Sequence, residues 1–233
     1  MKTIGVLGGR GPQATMDFEA RIHRVAQRLI TPRFHLGYPP MVVYHYRQAP
    51  LLLTEQGKPQ LPFRPDPRLL EAAKRLGGLA DFLVITSNTL HLFRAEIEQA
   101  AGLEVLSMID ATLAEVRRRT WTRVGVLGLG DPVLYTRPLS QLGIACETLG
   151  PESRAALEKA IPRLMEGRTD AESAEAAREA VATLRARAVD GVILGCTEIP
   201  LLLRELAHEV DLINPAQLLA EAAVRAAVQE TET

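Results

Sequence analysis

Two short segments hold residues that could do chemistry. Asp81–Phe93 reads DFLVITSNTLHLF, and Asp190–Leu202 reads DGVILGCTEIPLL. In each, an apolar run ends in a small polar cluster. The second cluster is Cys196, Thr197 and Glu198; the first is Ser87, Asn88 and Thr89. A thiol can serve as a general base once ionised, and a helix N-terminus with its amides lowers its pKa from about 8.5. Such lowering is expected at Cys196 if a helix begins beside it. The alternative is an inert buried cysteine. Glu198 could accept a proton or orient a neighbour, and Asn88, Thr89 and Thr197 supply donors for a carboxylate. Ser87 is a poor base near neutral pH without an activating partner. His91, four residues on, could share one helical face with it.

Other stretches are less specific. LGGRGP (Leu7–Pro12) is a glycine-rich turn after a strand pattern, with Pro12 suited to the first position of a helix. Backbone N–H groups at such a turn form an anion site, so Gly9 and Arg10 are candidate substrate contacts and Thr15 adds a hydroxyl. The turn equally fits a tight connection that needs only glycine conformations. It has neither GxGxxG nor the Lys-Ser/Thr of a P-loop, so no nucleotide is expected. Arg47, in VYHYRQAP, either holds a carboxylate bidentately or lies at the surface. His23, His35, His45 and His208 lack metal-ligand spacing, and no metal is expected. Cys146, in LGIACETLG, has no functional context and is expected in the core.

These residues must be held by a scaffold of alternating strands and helices. Ile4–Leu7, Met41–Tyr44, Phe82–Thr86, Val124–Leu127 and Val192–Leu194 read as buried strands. Pro12–Leu29 reads as a helix with Met16, Ile22, Val25 and Leu29 along one side; Arg68–Leu79, Ala111–Arg119, Ser153–Glu166, Ala171–Ala188 and Pro215–Val228 are further helices. Alternating units of this kind predict α/β architecture, with mostly parallel sheets flanked by helices. The proline-rich stretches Thr31–Pro40 and Lys58–Pro67 are expected to be rim or lid loops.

The chain also repeats itself. IGVLGGRGP at Ile4 returns as VGVLGLGDP at Val124 (124 − 4 = 120), and DFLVITSNT at Asp81 returns as DGVILGCTE at Asp190 (190 − 81 = 109). A weaker echo links MIDATLAEV at Met108 to LINPAQLLAEA at Leu212 (212 − 108 = 104). Three ordered echoes predict two pseudo-symmetric lobes, residues 1–112 with 213–233 and residues 113–212, and an active-site cleft between them. Ligand crevices of open α/β sheets lie beyond the carboxyl ends of the strands, where all four echoed turns would fall.

With 233 residues and 47% of them hydrophobic, a sizeable core can form. A net charge of −1 gives no electrostatic case for nucleic acid or an anionic membrane. Two cysteines cannot build a disulfide framework, and no apolar stretch approaches the length of a membrane span. The N-terminus enters a strand pattern at once with no cleavable signal, so a cytoplasmic protein with reduced thiols is expected.

MKTIGVLGGRGPQAT, SNTLHLF and GVILGCTEIPLL resemble the aspartate/glutamate racemase family, over nearly the whole chain. The resemblance implies two pseudo-symmetric α/β lobes, and in many members a homodimer. It also implies interconversion of amino-acid enantiomers without pyridoxal phosphate, metal or other cofactor. One thiolate removes the α-proton and a second thiol returns one from the far side. By this resemblance Cys196 is the second-lobe acid/base, Asn88, Thr89 and Thr197 hold the substrate carboxylate, and the Gly8–Pro12 loop borders the substrate. Two positions depart from the family pattern: Ser87 stands where CNTxH has cysteine, and Arg10 where GGMGP has methionine. Three functions therefore fit. One is a racemase of a small acidic amino acid with Ser87 relaying a proton. Another is a one-thiol isomerase or decarboxylase of a small dicarboxylate. The last is a small-acid-binding protein whose catalysis has lapsed.

Overall fold

The computed structural model describes residues 1–31, 34, 36–56 and 59–229. The expectations placed on His35 and Lys58 lie outside the described residues. Strands β1 (Ile4–Gly8), β2 (Met41–His45), β3 (Phe82–Ile85) and β4 (Val105–Leu106) form a parallel sheet in the order β2-β1-β3-β4. Strands β5 (Arg123–Leu127), β6 (Ala145–Thr148), β7 (Gly191–Leu194) and β8 (Leu212–Ile213) repeat that order as β6-β5-β7-β8, again all parallel. The predicted α/β class and the two matching sheets are what the chain adopts.

Helices supply the crossovers. In the first sheet these are α1 (Pro12–Leu29), α2 (Pro67–Gly77) and α3 (Arg94–Ala101). After β4 the chain continues into α4 (Met108–Arg118), and the second sheet takes α5 (Val133–Gln141), α6 (Pro151–Met165), α7 (Ala171–Arg185) and the short α8 (Ile199–Leu203). The last helix is α9 (Pro215–Val228). Packing divides the chain into two units: Met1–Ser107 together with the chain from Leu219 on, and Met108–Leu218. In the first, the Lys2 amide donates to the Ala227 carbonyl at 2.8 Å, which ties α9 beside the start of β1.

Strands β1, β3 and β7 are buried along their whole length, which is why they read as continuous apolar runs rather than as alternation. Their entries are fixed by matched aspartates. Asp81 accepts from the Thr3 amide at 2.5 Å; Asp190 accepts from the Thr122 and Arg123 amides at 2.6 and 2.9 Å. Asp66 caps α2 by accepting from the Arg68 amide, with Pro67 in the first turn, and Asp170 caps α7 through the Ser173 amide.

Several sequence expectations need correction. Helix α1 buries Ala14, Phe18, Ile22 and Val25, whereas Met16 and Leu29 are exposed. Phe18 sets the inward face, and Met16 lies off that 3.6-residue stripe. Strands β4, β6 and β8 and helices α3 and α5 add to the elements that the sequence pattern predicts. Two residues of β4 or β8 are too few to show a period, and β6 is ACET, a half-buried edge strand. Cys146 lies in β6, half-buried rather than in the core.

Candidate active site

In each sheet the chain order reverses between the two central strands, β1 and β3 or β5 and β7, which opens a crevice at their carboxyl ends. Leu7 pairs with Ile85, and Leu127 with Leu194. Ser87 and Cys196 each follow their paired residue by two positions, so they occupy the same register in the two sheets. The echo read from the sequence is thus a structural equivalence.

In the first unit, β1 runs into a turn held from inside. Gly9 has φ +89°, a conformation that favours glycine, and a Cβ there would meet the His45 backbone at 2.7 Å. The Gly9 amide donates to Thr15 Oγ1 at 2.8 Å, and the fully buried Thr15 hydroxyl lies 3.0 Å from that of Thr86. The Gly9 amide is therefore engaged by the protein's own hydroxyl. Arg10 is exposed at the tip of the turn.

Ser87 is buried, Asn88 half-buried and Thr89 exposed, where a 3-10 turn Thr89–Phe93 begins. His91 does share a face with Ser87, but its Nδ1 lies 2.9 Å from the Ser87 carbonyl oxygen. A carbonyl only accepts, so Nδ1 carries a proton and in the neutral ring Nε2 holds the lone pair. This contact orients the imidazole on the Ser87 backbone.

Arg47 is exposed just past β2, with Nη2 3.4 Å from His45 Nδ1. It lines a surface groove of about 350 Å³ together with Tyr44, Tyr46, Arg68 and Arg75. Arg68 is held by Asp66 and Arg75 by Glu71, while no carboxylate among the described residues pairs with Arg47.

In the second unit Cys196 is buried and its Sγ donates to Glu198 Oε2 at 3.1 Å. The half-buried Thr197 hydroxyl donates to the same oxygen at 3.0 Å. Glu198 is itself buried, so one carboxylate oxygen gathers both donors out of bulk water. Burial raises the thiol pKa well above its usual range, and the Glu198 charge raises it further; amides of Glu198 and Ile199 pull it down but do not prevail. The expected lowering at a helix start is overturned. The helix that follows, α8, has only five residues, and desolvation dominates. At rest Cys196 is a protonated thiol facing a carboxylate.

Gly195, the residue before Cys196, packs against an aromatic side chain that carries no motif of its own. Tyr135 on α5 is fully buried, and its ring carbons come within 3.1 and 3.2 Å of where a Cβ on Gly195 would stand. Its hydroxyl is hydrogen-bonded to Thr112 on α4, and burial raises its pKa, with the Cys196 charge adding to the rise. The signal was in the repeat: Tyr135 is the echo of Thr15 (135 − 15 = 120). Among the described residues, no three His, Cys, Asp or Glu side chains gather as a metal centre requires, and no helix is long and apolar enough to cross a membrane.

Comparison with known proteins places these features in context. Residues 7–223 match the model of the Asp/Glu/Hydantoin racemase family. The chain is 23% identical to the broad specificity amino-acid racemase RacX of Bacillus subtilis, covering 95% of this chain and 96% of that one. It is 33% identical over 174 residues to a glutamate racemase of Desulforudis audaxviator, covering 66% of this chain and 61% of the relative. Among solved structures, an aspartate racemase homologue from Pyrococcus horikoshii superposes with a TM-score of 0.72 at 22% identity, over 98% of this chain and all (100%) of the other, a likeness of fold.

Proposed function

Because the chain belongs to the Asp/Glu/Hydantoin racemase family, we propose that it removes and returns the α-proton of a small acidic amino acid without a cofactor. In this reading Cys196 is the acid/base of the second unit, and Ser87 takes the equivalent position in the first. The observation that carries this reading is the 3.1 Å hydrogen bond from the Cys196 thiol to Glu198. A thiol of raised pKa is inactive as a base until its proton leaves, and Glu198 is placed to take it. The thiolate then withdraws the α-proton, leaving its electron pair delocalised into the substrate carboxylate. Return of a proton to the same face restores the substrate; a water proton relayed through the Ser87 hydroxyl, which takes up one proton as it gives one, inverts it. In this reading Asn88, Thr89 and Arg10 hold the α-carboxylate and Arg47 the side-chain carboxylate, while Gly9 and Thr197, whose N–H and O–H go to Thr15 and Glu198, border the substrate without donating to it. The surface position of Arg47, with no acidic partner among the described residues, supports that role.

A second reading draws on one specific observation: only one of the two equivalent positions carries a thiol. One-sided chemistry on a dicarboxylate, an isomerisation or decarboxylation with Cys196 as the single proton donor, fits that asymmetry. Incubation with each enantiomer of aspartate and glutamate in D₂O separates the readings. Racemisation gives α-deuterium in both enantiomers, lost in Cys196→Ala. Exchange with retention in one enantiomer points to one-sided chemistry. Measurable binding without any exchange points to a lapsed enzyme.

A further inference from the structure

Asn214 stands between β8 and α9, and the two ends of its side-chain amide have different fates. Its Oδ1 accepts from the Ala216 amide at 3.1 Å, which caps the helix. That contact also fixes which way the amide group points. A backbone N–H is received by the oxygen, so the other atom is the NH2. This Nδ2 is buried, and among the described residues nothing accepts its hydrogens. Asn214 as a whole is 8% exposed. A buried donor left unpaired costs stability, so its presence calls for an acceptor that the described chain does not supply.

The cap itself does not need the NH2 group. Val84 and its echo Ile193 (193 − 84 = 109) pair with Leu106 and Ile213. The residues that follow, Ser107 before α4 and Asn214 before α9, are therefore equivalent. The weak sequence echo would match Asn214 with Asp110 instead (214 − 104 = 110), and strand pairing corrects that by three residues. A buried serine thus stands in the first unit where the second has a buried residue with an additional donor. Strand β8 lies beside β7, whose end carries Cys196, Thr197 and Glu198. The Cys196 thiol and the Thr197 hydroxyl both go to Glu198. That turn therefore offers a ligand no side-chain donor of its own, and Asn214, at the same end of the neighbouring strand, has one to offer. Its place at the N-terminus of the 14-residue α9 favours an anion as the acceptor.

We propose that Asn214 Nδ2 is a substrate-binding donor of the second unit, giving a hydrogen bond to a carboxylate oxygen of a small organic acid. The identity of that acid rests on the proposed function, to which Asn214 adds a contact from the strand beside Cys196. Burial does not set Asn214 apart from the reacting groups, since Cys196 is 9% and Glu198 5% exposed.

The test measures binding of succinate and of L-aspartate by calorimetry on the full chain, beside thermal unfolding. Asn214→Ser installs the first unit's residue, keeps a capping oxygen and removes the NH2. It is expected to weaken binding of both acids by about tenfold or more, the usual scale for a hydrogen bond to a charged group, with no fall in unfolding temperature. Asn214→Asp keeps the size and the capping oxygen but turns the donor into an acceptor with the charge of the ligand. It is expected to weaken binding further while α9 stays capped. Unchanged binding in either folded variant overturns the proposal. So does a loss of affinity accompanied by a fall in unfolding temperature, or a parent protein that binds neither acid. α-Deuterium exchange on the same preparations keeps the two readings apart. Binding that depends on Asn214, with no exchange in the parent, would remove the racemase reading and leave this site in place.

Discussion

Cys196 Sγ and Glu198 Oε2 stand 3.1 Å apart, with the thiol donating to a buried carboxylate oxygen. The relationship has two opposed consequences. The carboxylate is a ready acceptor for the thiol proton, and its charge also disfavours the thiolate that would result. Proton transfer therefore becomes useful when a bound substrate changes the local charge.

That opposition gives a split prediction for Glu198→Gln. Removing the charge lowers the thiol pKa, so alkylation of Cys196 near pH 7 should become faster. Removing the proton acceptor should slow α-proton exchange by about 10²–10³-fold, within the usual range for one general acid–base group. Alkylation kinetics and deuterium incorporation, measured on the same preparation, check both halves. Parallel changes in the two rates would contradict the assignment.

Ser87 occupies the register of Cys196 in the other sheet. Ser87→Cys is expected to raise racemisation, since a thiol gives up its proton far more readily than a hydroxyl. Ser87→Ala should leave exchange on the Cys196 side and reduce inversion about tenfold or more. Chiral chromatography alongside deuterium exchange distinguishes inversion from retention.

Thr15 is a structural test of the first unit. Its hydroxyl accepts from the Gly9 amide at 2.8 Å and meets Thr86 at 3.0 Å, fully buried. Thr15→Val keeps the shape and strands both partners, so it should cost about 1–3 kcal/mol in urea unfolding. Thr15→Ser, which retains the hydroxyl, should cost less.

Glu115 on α4 accepts from Arg118 at 2.7 and 2.8 Å and from Arg119 at 2.6 Å, and these guanidinium groups hold its pKa at about 2 instead of the ordinary 4.5. A depressed carboxylate stabilises the folded state above its unfolded pKa and loses that contribution as pH falls through the folded value. Glu115→Gln should therefore cost about 1–2 kcal/mol at pH 7, discounted because Arg118 is largely exposed. The difference from the parent should shrink below pH 4.5 and be gone only once the pH has fallen through about 2. Unfolding curves across that range read it out.

The sequence by itself determined the class of fold and the pairing of the key positions. Strands buried on both faces must be continuously apolar, so Ile4–Gly8, Phe82–Ile85 and Gly191–Leu194 were legible from composition alone. The repeat also matches Ser87 with Cys196, because two segments of similar residues adopt the same strand register. What only the tertiary structure decided was environment. The thiol was expected to have a lowered pKa, and burial beside Glu198 raises it instead, since desolvation depends on what covers a group in space. His91 lies beside Ser87 as its spacing indicated, yet its Nδ1 faces the Ser87 carbonyl, a choice of rotamer that spacing does not encode. Tyr135 lies far along the chain from Gly195 and comes to pack against it only through the crossover from β5 to α5. Local pattern fixes which residues end the strands; the packing of distant helices fixes what those residues can do.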